Sequence, residues 1–390
     1  MPAQRAFRGD PMKSSTWLFV VLAAVLSVPS AFAAQFHRPV LYTVGEEPQQ
    51  VVIADFNHDG VLDLLAPCTT TSQISILLGN GGGTFQQAVE LSAAVNPSAA
   101  VAGDFNGDGN VDFAVAEYGF GPAELQIFLG NGDGTFVAKF SYSINALPYD
   151  ITAADFDGDG VLDLAIADSG GNAVDVMFGN GNGSFRKATP YSVKLAERVL
   201  AVDLNGDGHM DLAALAYCGK NVQLCQTGAV SVLLNNGDGT FATGVLYNTK
   251  GVGPDGIAAG DLNHDGKMDL VVANNNFQSP SVISVFLGNG DGTLKPVVTY
   301  SVGSGPAGMA IADFNGDGKL DVAVANTASN NVSLLYGNGD GTLQAAKSLT
   351  FAVGSLPIWV GAGDFDNDGA PDAAVVLDYA NKIAVLLNLR

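Results

Sequence analysis

From about residue 40 onward the chain alternates between two textures. Short runs of small apolar residues are interrupted by clusters of Asp, Asn and Gly. One unit shows the pattern: "AGMAIADF" (307–314) runs into an aspartate-rich stretch, "LDVAVAN" (320–326) runs out of it, and "NVSLLYGN" (331–338) follows. "GDGT" then turns the chain into "LQAAKSLTFAV" (343–353). Apolar runs of this length, bounded by Gly, Asn and Asp, read as strands, and Asn-Gly or Asp-Gly between them reads as a hairpin turn. The unit is therefore four strands, A to D. Strands A and B are almost continuously apolar, which predicts burial on both faces. No long segment outside the N-terminus has helical periodicity.

The unit recurs seven times. Its aspartate stretch reads "DFNHDGVLD" from 55, "DFNGDGNVD" from 104, "DFDGDGVLD" from 155, "DLNGDGHMD" from 203, "DLNHDGKMD" from 261, "DFNGDGKLD" from 313 and "DFDNDGAPD" from 364. Successive starts are 49, 51, 48, 58, 52 and 51 residues apart. A second motif keeps the same phase: "GNGGGTF" (79), "GNGDGTF" (130), "GNGNGSF" (179), "NNGDGTF" (235), "GNGDGTL" (288) and "GNGDGTL" (337). A period near 50 with four strands per unit is that of propeller blades, whose faces are buried only by stacking on their neighbours. The expected fold is all-β: a seven-bladed β-propeller of four-stranded blades. The seventh unit ends after strand C, while "FHRPVLYTVG" (36–45) precedes the first strand A and matches "LKPVVTYSVG" (294–303). The N-terminal segment 36–45 is thus an orphan strand D that completes the last blade and closes the ring.

Residues 1–33 read as a signal peptide: Lys13, the apolar run 16–28, then "AFA" at 31–33. The run is shorter than the roughly 20 apolar residues of a membrane span. Residues 34–390 are then the exported propeller, expected to be secreted, periplasmic or at the cell surface, with no membrane span after cleavage, and monomeric. Cleavage removes Arg5, Arg8, Lys13 and Asp10 and takes the formal charge from −22 to −24. So acidic a chain offers no basic surface for nucleic acid. Of three cysteines, Cys218 and Cys225 flank "CGKNVQLC" and can pair in an oxidising compartment, which leaves Cys68 as a small buried residue.

The acidic stretches explain the charge. Each nine-residue loop offers oxygen at positions 1, 3, 5, 7 and 9, with a backbone carbonyl at position 7, where the side chain varies freely. Hard cations such as Ca²⁺ take about 6–8 oxygen ligands of this kind. The candidate ligands are Asp55, Asn57, Asp59, Val61 and Asp63 in the first unit, and Asp104, Asn106, Asp108, Asn110 and Asp112 in the second. The third offers Asp155, Asp157, Asp159, Val161 and Asp163, and the fourth Asp203, Asn205, Asp207, His209 and Asp211. Asp261, Asn263, Asp265, Lys267 and Asp269 follow, then Asp313, Asn315, Asp317, Lys319 and Asp321, and finally Asp364, Asp366, Asp368, Ala370 and Asp372. An EF-hand is excluded, because position 12 is apolar or small (Ala66, Val324) and a strand follows rather than a helix. Polar turns would not require three carboxylates each time, and seven near-identical clusters are too many for one active site. Seven Ca²⁺ ions would bring the mature charge to about −10. In the second motif the acid is Gly82 in the first unit and Asn182 in the third, so it reads as a C–D hairpin turn, its following Phe or Leu packing between blades.

These loops, D-x-[DN]-x-D-G-x-x-D between two apolar strands at blade spacing, resemble the FG-GAP/VCBS repeats that build the head propeller of integrin α-subunits. The resemblance covers essentially the whole mature chain. It implies Ca²⁺, up to seven ions with one per blade, bound by the ligand set above in a structural role. The family includes adhesion subunits, lectins and polysaccharide lyases, so the fold does not fix the activity. The reading favoured here is a binding or adhesion module that takes a protein or glycan through its variable loops. The alternative is a secreted, lyase-like enzyme on polysaccharide. Catalytic groups are scarce. His58, His264 and His209 lie in the aspartate loops, His37 in the closing strand, and Trp359 in the seventh strand A, where packing is its expected role. Tyr118, Phe120, Tyr217 and Phe277 are candidate contacts in the loops that vary most between units.

Overall fold

The computed structural model describes residues 35–93, 95–117, 123–144, 147–217, 227–275, 281–351 and 355–389. The expected signal segment, residues 1–33, and Cys218, Cys225, Tyr118, Phe120 and Phe277 lie outside these residues. All described structure is strand, turn or irregular, and it forms seven four-stranded antiparallel sheets arranged as a propeller. Blade 6 is typical: strand A, Pro306–Ala312; B, Asp321–Asn326; C, Asn331–Leu335; D, Lys347–Thr350. Strand A of each blade meets strand A of the next all the way round, including blade 1 against blade 7, so the A strands line the axis and the D strands form the rim.

Strand B is buried at every position in all seven blades. Its residues pack against both neighbouring blades, as the continuous apolar runs require. Strand A is only partly buried, as in Val52–Ala54 and Pro357–Gly363, because its axial side has no sheet to cover it. Strand D is shorter than its apolar run suggests. The C–D connection makes one isolated bridge, such as Gly337↔Leu343, then leaves the ladder before a four-residue strand. Blade 2 departs from this, with a continuous strand D, Phe136–Ile144, bulged at Lys139 opposite Ile127 and Phe128.

The chain ends close the ring in one blade. Val40–Thr43 pairs with Lys382–Leu386 as strand D of blade 7, in the register Val40↔Val385 to Thr43↔Lys382. Phe36 bridges Asn388 where other blades bridge a C–D glycine or asparagine to Phe or Leu. Its ring lies 5.9 Å from Phe314 in an edge-on contact and is 7% exposed. The N-terminal segment therefore supplies both the rim strand and the anchoring aromatic of the last blade. Phe36→Ala is expected to cost about 3–5 kcal/mol, the range for a buried Phe emptied to Ala. Urea unfolding checks this, and a loss below about 0.5 kcal/mol would mean that the closing strand holds without its anchor.

Candidate metal centres

Each aspartate loop joins strand A to strand B at one face of the propeller. The backbone shape is set by position 4, which has positive φ throughout. Gly107, Gly158, Gly206 and Gly316 sit near +75°, while His58, His264 and Asn367 adopt +58 to +60°. The histidines are thus loop residues in a left-handed conformation, which few side chains tolerate. Position 1 then wraps the turn: Asp313 Oδ1 accepts from Gly316 N at 2.6 Å, and Oδ2 accepts from Gly318 N at 2.9 Å. The same position-6 contact recurs at Asp55, Asp104, Asp155, Asp203, Asp261 and Asp364. Position 5 accepts from the position-7 N–H in every loop, for example Val61 to Asp59 at 2.8 Å and Lys319 to Asp317 at 3.0 Å. Positions 1 and 3 are half-buried and position 5 is exposed, as at Asp55, Asn57 and Asp59.

The donor set fits a hard cation. In blade 3, carboxylate oxygens of Asp155, Asp157 and Asp159 lie within 4.8 Å of one another, and in blade 7 the same holds for Asp364, Asp366 and Asp372. Two oxygens on opposite sides of a calcium ion are about 4.6–5.2 Å apart, so each trio can share one ion. These are the two loops with Asp at position 3. In blades 1, 2 and 4 the Asn amide bonds to position 5, as Asn57 Nδ2 to Asp59 Oδ2 at 3.0 Å and Asn106 Nδ2 to Asp108 Oδ2 at 3.1 Å, which leaves an amide oxygen as the third ligand.

Position 9 has a second task that the loop spacing does not disclose. Asp163 is 1% exposed; its Oδ2 accepts from Phe156 N and its Oδ1 from Gly179 N, both at 2.8 Å. All seven blades repeat this staple between the aspartate loop and the start of the C–D turn. Burial pushes the carboxyls of Asp63, Asp112, Asp163, Asp321 and Asp372 up to about 6, against the pull of these two N–H donors. A cation beside these carboxyls would favour their ionised form.

The C–D motif is the hairpin turn its composition suggests. Asp133 Oδ1 accepts from Thr135 N at 3.0 Å, and Asn182 does the same for Ser184 N, so charge is dispensable there. The hydroxyl and amide of Thr135 hold Asp133 below the usual carboxylate range. This turn also reaches the preceding blade. Gly183 N donates to Phe105 O at 2.8 Å, and Gly83 N to Phe365 O at 3.0 Å. Phe185 packs edge-on against Phe105 at 5.5 Å, Phe85 against Phe365 at 5.5 Å, Phe136 against Phe56 at 5.6 Å and Phe241 against Phe156 at 5.5 Å. In each pair the partner is position 2 of the neighbouring aspartate loop, so every loop is clamped to the hairpin of the next blade.

Six matches to the FG-GAP-like repeat model run along the chain, over residues 55–115, 104–166, 155–214, 221–272, 265–324 and 313–375. The chain belongs to the FG-GAP-like repeat family. Its fold is similar to that of BBS1N, solved in complex with ARL6DN, at TM-score 0.60 and 10% identity over 91% of this chain and 97% of that one. Kuenenia stuttgartiensis hydrazine synthase aligns at TM-score 0.63 and 12% identity, over 89% and 97% of the two chains. A functionally unknown protein from Desulfotomaculum acetoxidans aligns at 0.55 and 11%, over 79% and 90%. No curated protein matches at the sequence level. At these identities the likeness is one of fold. Cys68 is buried and free, its thiol pushed up to about 11 by burial. No helix among the described residues is long and apolar enough to cross a membrane.

Proposed function

We propose that the protein is an exported FG-GAP propeller, stabilised by calcium in its aspartate loops, that serves as a binding module for a protein or glycan. Its place is outside the cytoplasm: secreted, periplasmic or on the cell surface. The observation that carries the calcium reading is the convergence of three carboxylates in blades 3 and 7 on a geometry one ion can satisfy. The clamping of each loop to the next blade explains why such ions would serve the fold rather than a reaction. At the opposite face, among the described residues, Tyr217 and Tyr379 follow strand B of blades 4 and 7 and are 38% and 68% exposed. BBS1N, a propeller of the same kind, was solved in complex with ARL6DN, a precedent for the fold as a protein-binding platform.

A screen on the calcium-loaded protein tests this reading. Polysaccharides and candidate proteins are immobilised, and both retention and release of new chain ends are recorded. Retention without cleavage is the expected result. New saccharide chain ends would replace the binding module with the enzyme reading.

A further inference from the structure

Strand A of blade 4, Ala196–Val202, brings an arginine to the propeller axis. Arg198 Nε donates to Asp255 O at 2.7 Å and Nη2 to Asp255 Oδ1 at 3.1 Å, both in blade 5, while Nη1 reaches Tyr149 O of blade 3 at 3.3 Å. Its guanidinium carbon lies 5.3 Å from the centre of the Trp359 ring, in blade 7. Blades 4 and 7 are three places apart, the largest separation a ring of seven permits, so this side chain spans the axis. The Trp359 ring rests on bare backbone: a Cβ on Gly308 would fall 2.7 Å from Trp359 Cε3. Trp359 is therefore a wall of the axial contact as well as part of the packing between blades 7 and 1.

The charges around Arg198 do not balance. Asp255 is engaged on both oxygens, its Oδ2 accepting from Asn275 Nδ2 at 2.9 Å. Asp150, 6% exposed in strand A of blade 3, accepts from Val199 N at 3.1 Å across the blade 3–4 boundary. Glu197, the half-buried residue at the strand bulge between Ala196 and Arg198, adds a third carboxyl within electrostatic reach of the one guanidinium. At the level of Glu197 and Asp255 the other blades bring Gln49, Ser98, Tyr149, Ala307 and Ile358, none of them charged at neutral pH. Burial pushes the Glu197 carboxyl up to about 8, helped by Asp255 and opposed by Arg198.

We propose that Arg198 is an axial latch, closing the channel on the face away from the aspartate loops and joining blades 3, 4, 5 and 7, with a hold set by the charge on Glu197. While Glu197 keeps its proton, the guanidinium is committed to Asp255 and Tyr149. When Glu197 ionises, its charge repels Asp255 and draws on the same guanidinium. The sign follows from linkage. An acid whose folded value is raised adds stability in full below its unfolded value, near 4.5, and loses it as pH rises towards about 8.

The test uses the calcium-loaded mature chain, residues 34–390, in which Trp359 is the only tryptophan. Melting temperature and Trp359 emission are followed from about pH 5 to 9. The latch predicts that the melting temperature falls as pH rises and that the emission shifts with a midpoint near 8. Glu197→Gln, which keeps shape and removes charge, should flatten both profiles and melt above the parent at the alkaline end. Arg198→Lys, which keeps the charge and loses the planar fork, should abolish the emission change. An unchanged pH slope and emission transition in Glu197→Gln, or no transition in the parent, would overturn the latch.

Discussion

Excess EDTA is expected to lower the melting temperature by about 10 °C or more, and added calcium to restore it. A ligand bound only by the folded state at 100 times its Kd adds about 2.7 kcal/mol per site. In a protein of 150–250 residues, 1 kcal/mol moves the melting temperature by about 2–4 °C, somewhat less in a longer chain. Seven loops would give a large total even if most bound weakly. Without an ion, each loop holds Asp at positions 1, 5 and 9 in mutual repulsion, and each is tied to the hairpin of the next blade. Chelation should therefore loosen the contacts between blades. Calorimetry in calcium, in EDTA and after re-addition checks this, with magnesium as a control because its smaller, stricter octahedron suits the loop less well. A melt that ignores EDTA would leave the loops as polar turns.

Asp163→Ala should be the most damaging single substitution in an aspartate loop, at about 2–5 kcal/mol. It strands the buried N–H groups of Phe156 and Gly179, each costing about 1–3 kcal/mol when left unpaired. Because the staple is independent of the ion, this loss should persist in EDTA. Asp159→Asn, at exposed position 5 of the same loop, should destabilise only in calcium. Asp133→Asn, in the C–D turn, should stay within about 0.5 kcal/mol, because Asn182 already fills that role in blade 3. Denaturant melts of the three variants with and without calcium separate the roles. Equal losses for Asp163→Ala and Asp159→Asn that both vanish in EDTA would mean position 9 is a ligand and nothing more.

Much of the architecture is legible in the sequence because it is local and repeated. Blade count, the aspartate loops and the hairpin turns each need only a short window. The closing strand is legible because "FHRPVLYTVG" can be compared with its own copies. What escapes is contact between units. The partners of position 9 include Gly179 N, 16 residues on, and the hairpin Phe meets the loop of the preceding blade, so neither spacing reveals them. Arg198 has no motif around it, and its partners Asp255, Tyr149 and Trp359 come from three other blades. Strand A looks as apolar as strand B in sequence, yet one side faces the axis, a distinction only ring geometry makes. The short strand D reflects the C–D bridge that interrupts the ladder, which composition does not show.

The most direct test of a calcium-held propeller is to count the ions. Native mass spectrometry of the calcium-loaded chain should show several bound Ca²⁺ and at most seven, with one lost in Asp159→Asn and none lost in Asp133→Asn. A chain that carries no calcium above the level of non-specific adducts, or equal losses in both variants, would contradict the account.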